Sequence, residues 1–222
     1  MRPCVIWGVT GQGKVVFDIL RDENISVIHC FDNNRDLTSP FPNVPISYGE
    51  DGVSRFLSHL SNSGLTAGHI DSVIAIGGGR GPERRSIGAL MSAFGFLQRQ
   101  VVHRSSVISS RAKIGLACQV MAGATVGPWA TIGEHVIINT GANIDHDCVV
   151  KDCSHIGPNA ALAGEVIIGE NVFIGTNATV LPRIKVGDGS TVGAGAVVTR
   201  DVPPNSVVVG IPARVVESKA TH

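Results

Sequence analysis

The sequence predicts a small α/β domain followed by a parallel β-helix. Two patterns carry this prediction: strand-like and helix-like segments alternate over the first hundred residues, and from Val102 onward an aliphatic residue recurs at every sixth position. The composition agrees, because Gly is abundant while charged residues make up only 16% and aromatic residues 5% of the chain. We place the first domain at residues 1–99 and the second, which ends in a closing strand, at residues 100–222.

The first domain contains the apolar runs and turn residues of alternating strands and helices. Its predicted strands are residues 5–8, 27–32 and 72–76, and its predicted helices are residues 13–20 and about 82–97. In the last helix the apolar side chains follow helical spacing. They are Ile87, Leu90, Met91 and Phe94.

The six-residue repeat is unbroken over seventeen hexads. Neither a strand period of 2 nor a helix period of 3.6 sustains it, whereas a parallel β-helix with short flat faces does. We therefore expect three hexads per triangular coil, and we call residues 102–198 the rod. Its aliphatic series is Val102, Ile108, Ile114, Val120, Val126, Ile132, Ile138, Ile144, Val150, Ile156, Leu162, Ile168, Ile174, Val180, Val186, Val192 and Val198.

Two further positions of each hexad are restricted. The residue two before the aliphatic one is small or Val in nearly every hexad, so both positions are expected to point inward. The residue after the aliphatic one is expected to turn a tight corner with positive φ. It is Gly in eight hexads: Gly115, Gly127, Gly133, Gly157, Gly169, Gly175, Gly187 and Gly193. The flat outer faces predict side-by-side association of several rods.

The charge balance and the apolar runs exclude several classes of protein. Eighteen basic residues match eighteen acidic ones, so we expect neither nucleic acid nor an anionic membrane surface as a partner. No apolar run approaches the roughly 20 residues that cross a bilayer, and the N-terminus lacks a signal-peptide layout, so we expect a cytoplasmic protein. The five cysteines lack the spacing of a disulfide scaffold and are expected to be reduced thiols.

The loop after the first strand, Gly8 to Lys14, fits two phosphate motifs. As Gly-x-x-Gly-x-Gly between a strand and a helix, it lets backbone N–H groups approach a pyrophosphate, and Asp32 at the end of the second strand could take ribose hydroxyls. As Gly-x-x-x-x-Gly-Lys it nearly matches a Walker A loop, but Val15 replaces the hydroxyl that holds Mg²⁺, which argues against an ATPase or kinase. The glycines could also serve only a tight turn.

Loop and rod together resemble a sugar acetyltransferase family that includes sialic acid O-acetyltransferases and N-acetyltransferases of nucleotide-linked 4-amino sugars. The resemblance implies a Rossmann-like N-terminal domain that binds the nucleotide sugar, then a left-handed parallel β-helix that binds acetyl-CoA and assembles as a homotrimer with active sites between subunits. Family members often carry Gly-His-Gly where this chain has Gly11-Gln12-Gly13. The expected substrate-binding residues are Thr10, Gly11, Gln12, Asp32, Asn33 and Gly77.

Catalysis is expected where three successive hexads lack the corner glycine, within Asn143 to His155. His146 lies two residues after the inward Ile144, so its imidazole should face outward and could act as a general base. Asp147 is the adjacent carboxylate that would raise its basicity. The resemblance assigns the same two roles, and the alternative is a surface histidine without a function.

The resemblance also implies residues that contact acetyl-CoA. They are His155, Gly164, Thr176 and Ala194, with the Gly164 N–H as donor to the oxyanion. His155 could instead be an edge histidine that binds nothing, and the other residues could be ordinary loop and packing positions. His146, Cys148, Cys153 and His155 also have a zinc-like spacing, but Cys148 is at an inward position, so no metal is expected.

The expected reaction is acetyl transfer from acetyl-CoA to the amino group of a nucleotide-linked amino sugar of the 4-amino type, in surface glycan synthesis. The enzymatic alternative is O-acetylation of a sialic-acid-like sugar with the same base. An alternative of another class is a non-catalytic protein that binds a nucleotide sugar.

Overall fold

The computed structural model describes residues 1–61 and 65–218. The chain divides into two compact units. The first comprises Met1–Gly77 and Glu83–Val101, and the second comprises Gly78–Pro82 together with the chain from Val102 onward. The short segment Gly78–Pro82 thus belongs with the rod.

The first unit is built on a five-stranded sheet in the order β3-β2-β1-β4-β5, with every neighbouring pair parallel. Three helices and a short 3₁₀ turn connect the strands. The elements in chain order are β1 (Cys4–Trp7), α1 (Gly11–Asp22), β2 (Val27–Asp32), β3 (Ile46–Tyr48), α2 (Gly49–Ser61), the 3₁₀ turn (Ala67–His69), β4 (Asp71–Ile74), α3 (Gly81–Ala93) and β5 (Leu97–Gln98).

The predicted strands and helices of this unit are confirmed in their order, but β3, α2 and β5 are absent from the prediction, and only β2 has the predicted boundaries. Helix α1 begins at Gly11 rather than at residue 13, and α3 ends at Ala93 rather than at Leu97. The end of α3 has a local cause: Gly95 adopts a φ of +89°, and the Phe96 N–H donates to the Met91 carbonyl. Beyond this turn the chain forms β5.

The rod consists of seventeen two-residue strands, β6 to β22, from Val101–Val102 to Val197–Val198. From β7 to β19, each strand pairs in parallel with the strand eighteen residues later, as Val126 does with Ile144 and Ile144 with Leu162. Three sheets result, which confirms the prediction of three hexads per coil. These strands are β6 (Val101–Val102), β7 (Val107–Ile108), β8 (Lys113–Ile114), β9 (Gln119–Val120), β10 (Thr125–Val126), β11 (Thr131–Ile132), β12 (Ile137–Ile138), β13 (Asn143–Ile144), β14 (Val149–Val150), β15 (His155–Ile156), β16 (Ala161–Leu162), β17 (Ile167–Ile168), β18 (Phe173–Ile174), β19 (Thr179–Val180), β20 (Lys185–Val186), β21 (Thr191–Val192) and β22 (Val197–Val198).

The interior of the rod is filled by the two side chains per hexad that the repeat predicts. The aliphatic residues alternate with small ones, as where Ile156 and Ala160 are both fully buried. Ser154 is also buried at a small-residue position, where its hydroxyl donates to the Gly169 carbonyl at 2.6 Å and accepts from the Val172 N–H at 3.0 Å. Every polar group of this side chain is thereby satisfied inside an apolar core.

The expectation that the glycine after each aliphatic residue has positive φ is wrong. Positive φ occurs instead two residues later, for example at Gly195 and at Asn177, where Asn and Gly are the least costly residues. The glycines after the aliphatic residues are required by close approach. A Cβ on Gly115 would lie 2.6 Å from the Gly133 carbonyl carbon, and one on Gly175 would lie 2.6 Å from the Ala194 nitrogen.

The two kinds of glycine are predicted to differ in how well they tolerate substitution. Gly115→Ala is expected to destabilise the fold by about 1–3 kcal/mol, because backbone atoms of the next coil must move. Gly195→Asn is expected to change stability by less than about 1 kcal/mol, since Gly195 has open space and Asn tolerates its φ of +67°. Chemical unfolding followed by circular dichroism measures both, and the reverse order of effects would contradict the steric assignment.

The chain closes the rod with a hairpin. Strand β23 (Ser206–Val209) pairs in parallel with β21 and antiparallel with β24 (Arg214–Ser218), and the turn between them contains a cis Ile211–Pro212 bond. The predicted single closing strand is therefore two strands. No helix in the two described stretches of chain has the length and hydropathy that crossing a membrane requires.

Candidate active site on the rod

His146 lies at a corner of the rod, two residues after the end of strand β13. Its backbone N–H donates to the Asp145 carboxylate at 2.7 Å, and the Asp147 N–H donates to the Pro128 carbonyl one coil earlier at 3.0 Å. Asp147 has a φ of +57°. These constraints turn the His146 side chain outward, as the hexad phase predicts, and 49% of it is exposed.

The imidazole of His146 and the carboxylate of Asp147 form an exposed pair. Nδ1 of His146 lies 2.9 Å from Oδ2 of Asp147, which suits a ring protonated on Nδ1. In the described part of the chain, Nε2 has no hydrogen-bond partner, so its lone pair can accept a proton from a bound molecule. The two neighbouring residues thus have the arrangement of a general base and its orienting carboxylate.

The electrostatic surroundings of His146 raise its pKa. The hydrogen bond to Asp147 is the largest cause, desolvation opposes it, and the negative charges of Asp145, Asp147 and Glu165 add to the increase. Glu165 lies eighteen residues after Asp147 in the next coil, where it also pairs with Arg183 at 3.2 Å. A raised pKa makes the imidazole a stronger base.

Asp147→Asn is expected to lower the pKa of His146, because the variant loses both the charge and the ionic hydrogen bond. NMR titration of the imidazole C–H signals measures the change, with the His146→Ala spectrum identifying the resonance. Asp145→Asn is the comparison variant, because Asp145 acts on the ring only through its charge. It should lower the pKa of His146 less than Asp147→Asn does. An unchanged or higher pKa in Asp147→Asn would contradict the pairing.

Gly164 lies against the ring of His146. A Cβ on Gly164 would be 2.5 Å from both Cε1 and Nε2 of the imidazole, so only glycine leaves the ring in place. The Gly164 N–H donates no hydrogen bond within the described residues, although the residue is buried. A donor without a partner therefore lies next to the atom that would act as the base.

Thr176 and Ala194 lie further along the rod at one corner, eighteen residues apart in successive coils. Both are exposed, and neither amide has a hydrogen-bond partner in the part of the chain that the structure describes. Other corners differ, since the Glu134 and Glu170 amides donate to the side chains of Asp152 and Asp188 at 2.9 Å. The corner of Thr176 and Ala194 thus offers backbone hydrogen-bond donors to an extended ligand bound along the rod.

His155 is placed differently from His146. Only 5% of it is exposed, and both ring nitrogens lie within hydrogen-bond distance of this chain: Nδ1 is 2.8 Å from the Gly78 nitrogen and Nε2 is 3.0 Å from Nδ2 of Asn139. Phe173 packs edge-on against the ring. No sequence pattern connects Gly78 with His155, whereas the contact with Asn139 could have been found from the repeat, because Ile137 and His155 pair in neighbouring coils.

The zinc-like spacing around His146 does not bring its members together. Cys148 is fully buried and donates to the Ala163 carbonyl at 3.1 Å, and Cys153 is also buried, whereas His146 is exposed. Across the described residues, no cluster of three or more His, Cys, Asp or Glu side chains is arranged to hold a metal ion.

The predicted nucleotide loop joins β1 to α1. Gly8 has a φ of +99°, and a Cβ on Gly13 would collide with the Gly8 carbonyl, so both glycines are needed for this tight turn. Thr10 precedes α1 and makes no side-chain cap, and the exposed Gly11 begins the helix, at the end of a helix where an anion is stabilised. Gln12 follows within the same turn.

The remaining predicted substrate residues follow the carboxyl ends of the neighbouring strands. Asp32 ends β2, where its carboxylate accepts from the Val9 N–H at 3.1 Å and from the Asn34 N–H at 3.0 Å, with the exposed Asn33 between them. Gly77 follows β4, and the buried Arg84 guanidinium donates to the adjacent Ile76 carbonyl at 2.8 Å. The topology therefore brings these loops to one edge of the sheet.

Comparison with known proteins supports a common family. The family model for bacterial transferase hexapeptide repeats matches residues 147–180 and 165–200. Perosamine N-acetyltransferase from Caulobacter crescentus, in a structure with CoA and GDP-perosamine, is 34% identical over 97% of both chains, with a TM-score of 0.85. The acetyltransferase domain of PglB from Neisseria gonorrhoeae, in a structure with acetyl coenzyme A, is 31% identical over 97% of this chain and 99% of that one, with a TM-score of 0.82.

A third solved structure, WeeI from Acinetobacter baumannii, covers 97% of this chain and all of its own length (100%) at 25% identity and a TM-score of 0.83. These similarities extend over both units rather than over the repeats alone. With the parallel sheets of the rod, they fit the left-handed β-helix that the resemblance implies. The chain therefore belongs to the sugar acetyltransferases of the hexapeptide-repeat class and is an acetyltransferase.

Proposed function

We propose that this enzyme transfers the acetyl group of acetyl-CoA to the amino group of a nucleotide-linked amino sugar of the 4-amino type. The observation that carries the proposal is the outward imidazole of His146, oriented through Nδ1 by Asp147 at 2.9 Å, with Nε2 open to a substrate. The GDP-perosamine found with the Caulobacter protein supports this substrate class, since perosamine is the sugar in the name of that N-acetyltransferase.

In the proposed reaction the neutral amine attacks the thioester carbonyl carbon, and His146 Nε2 takes a proton from the amine as the C–N bond forms. Asp147 stabilises the resulting imidazolium. The tetrahedral intermediate then collapses with cleavage of the C–S bond. The sulfur leaves as CoA after receiving the proton from His146, and the sugar leaves as the acetamide.

The open amide of Gly164 is suited to the oxyanion of that intermediate, because it lies beside the ring and has no partner among the described residues. We assign Thr176 and Ala194, through their exposed amides, to the pantetheine arm of CoA. We also propose that His155 contacts acetyl-CoA. Its ring nitrogens lie within hydrogen-bond distance of Gly78 and Asn139 as well.

We further propose that residues 1–99 form a Rossmann-like domain for the nucleotide and that residues 100–222 form the acetyltransferase domain. The strand order β3-β2-β1-β4-β5 supports this, because parallel sheets with this order bind nucleotides beyond the carboxyl ends of the strands. The α1 turn would receive the pyrophosphate, and Asp32 would receive ribose hydroxyls with the lone pairs that its two backbone contacts leave open.

An amine rather than a hydroxyl acceptor is favoured by the charges around the base. Asp145, Asp147 and Glu165 all lie close enough to raise the pKa of His146. This negative surface attracts an amino sugar, whose amine is largely protonated when free in solution and loses one proton to solvent before it attacks, and it offers a hydroxyl no comparable advantage. N-acetylation is therefore preferred over O-acetylation, and a working base leaves no reason to propose a non-catalytic binding protein.

We also propose a cytoplasmic homotrimer that acts in surface glycan synthesis, with active sites between subunits. The five cysteines are free and buried, which suits a reducing compartment. The exposed corner that carries His146 gives a neighbouring subunit access to the site. Light scattering measures the assembly, and a monomer that retains full activity would contradict shared active sites.

Acetyl-CoA turnover with a panel of acceptors tests the proposed reaction. The panel contains GDP-perosamine, a UDP-linked 4-amino sugar, the matching 4-hydroxy sugar nucleotides and free sialic acid, with release of the CoA thiol as the signal. We expect turnover with at least one amino sugar nucleotide, a product of acetamide mass, and none with its hydroxyl counterpart. Preferential turnover of sialic acid would favour O-acetylation, and no turnover with any acceptor would favour the non-catalytic alternative.

A further inference from the structure

Trp129 is an exposed aromatic side chain on the corner of the rod that carries His146. It is 59% exposed, whereas the second tryptophan of the chain, Trp7, is 2% exposed within the first unit. Trp129 lies eighteen residues before Asp147, and the hydrogen bond from the Asp147 N–H to the Pro128 carbonyl places it in the adjacent coil. Its indole therefore belongs to the surface that surrounds the proposed base.

The backbone at Trp129 has a φ of +59°. This conformation is unfavourable for a bulky residue, and the rod uses Asn at the equivalent position of other corners, as at Asn159, Asn171 and Asn177. Other large residues, such as His135 and Arg183, also occupy this position with positive φ. The indole of Trp129 neither eases the backbone conformation nor fills the core, and most of its surface is available for a ligand contact.

The ring is held by a neighbour in the preceding coil. The Arg111 guanidinium carbon lies 5.7 Å from the centre of the Trp129 ring, and Arg111 is likewise eighteen residues earlier in the same corner row. Arg111, Trp129, Asp147, Glu165 and Arg183 thus follow one another along the rod. Trp129 is the aromatic member of a row whose other members are charged.

The positions of the proposed ligands decide which one Trp129 would contact. Gly164, Thr176 and Ala194 all follow His146 along the rod, which assigns acetyl-CoA to the C-terminal side of the base. Trp129 lies one coil to the N-terminal side. In the proposed arrangement the nucleophile approaches from this side, opposite acetyl-CoA, with its proton facing His146. A flat indole there offers an apolar surface to the C–H groups of a pyranose ring.

We propose that Trp129 binds the pyranose ring of the acceptor sugar and determines specificity for it. This inference rests on the proposed function and extends it by naming the subsite for the sugar itself. It assigns no part of the chemical step to Trp129. Loss of the indole should therefore weaken acceptor binding and leave acetyl-CoA binding unchanged.

Trp129→Asn is the sharpest test, because Asn suits the positive φ and the variant should fold at least as stably as the wild type. With the best acceptor of the panel, starting with GDP-perosamine, we expect KM for the acceptor to rise at least 10-fold and KM for acetyl-CoA to change less than 2-fold. Trp129→Phe should recover much of the acceptor affinity. Addition of the acceptor to the wild type should change the tryptophan emission, and Trp129→Asn should lose that change.

Three results would overturn the inference while the proposed function stands. They are an unchanged acceptor KM in Trp129→Asn, a rise in the acetyl-CoA KM instead, or dissociation of the assembly in light scattering without a change in acceptor KM, which would make Trp129 a subunit contact. If the wild type acetylates no amino sugar in the panel, the proposed function fails first and the sugar subsite is overturned with it.

Discussion

His146→Ala is expected to lower kcat/KM for acetyl transfer by about 10²- to 10⁴-fold, the usual contribution of a positioned general base. The reason is geometric, since Nε2 of His146 is open to solvent while Nδ1 is fixed by Asp147. The fold should be unaffected, because the side chain is half exposed and lies outside the rod core. Steady-state kinetics with an amino sugar nucleotide, beside a thermal unfolding curve, measure both.

His103→Ala is the matched control for this variant. His103 is also at a corner of the rod, but its Nδ1 contacts the Ser105 hydroxyl at 2.8 Å rather than a carboxylate. The control should retain wild-type activity. If His146→Ala kept more than about a tenth of wild-type activity, His146 would not be the base.

Gly164→Ala is expected to lower kcat by about 100-fold with little loss of stability. The added Cβ would occupy the space 2.5 Å from Cε1 and Nε2 of His146, so the ring must swing away from its position. An exposed ring can move at low cost to the fold, but a displacement of about 1 Å at a reacting group can cost about 10² in rate. Kinetics and chemical unfolding of the purified variant separate the two effects.

A double-mutant cycle tests whether the effect passes through the imidazole. In the His146→Ala background, adding Gly164→Ala should cost almost no further activity, because no ring remains to be displaced. The alanine keeps the backbone N–H, so the oxyanion donor is retained in all variants of the cycle. Full additivity of the two losses would show that Gly164 acts independently of His146.

The rod could be predicted almost completely from the sequence, because each position of the six-residue repeat has a fixed location in the coil, either inward or outward. Each inward position is occupied in every coil, so one wrong residue among seventeen would break the series. The same phase places His146 outward. The physical reason for each glycine could not be predicted in this way. Close contact with the next coil requires glycine at Gly115, whereas positive φ favours it at Gly195, and the residue type alone does not distinguish the two causes.

Contacts between distant segments account for most of what was missed. Strand β3 is only three residues long and has little signal of its own, so its position depends on pairing with β2. Helix α2, by contrast, could have been predicted, because its core side chains Val53, Phe56, Leu57 and Leu60 recur at helical spacing. The contact of His155 with Gly78 depends on a segment that meets the rod 77 residues away in sequence, whereas the contact with Asn139 joins neighbouring coils of the rod. By contrast, the influence of Glu165 on His146 could have been found by counting eighteen residues forward from Asp147.

A crystal structure of the enzyme with CoA and its nucleotide-linked amino sugar measures the central relation, the distance from Nε2 of His146 to the sugar nitrogen. General-base catalysis predicts about 2.6–3.2 Å, or one bridging water, with the CoA sulfur on the other side of the nitrogen. A sugar nitrogen beyond this reach, or a CoA sulfur bound at a different corner of the rod, would contradict the assignment of His146 and the reaction built on it.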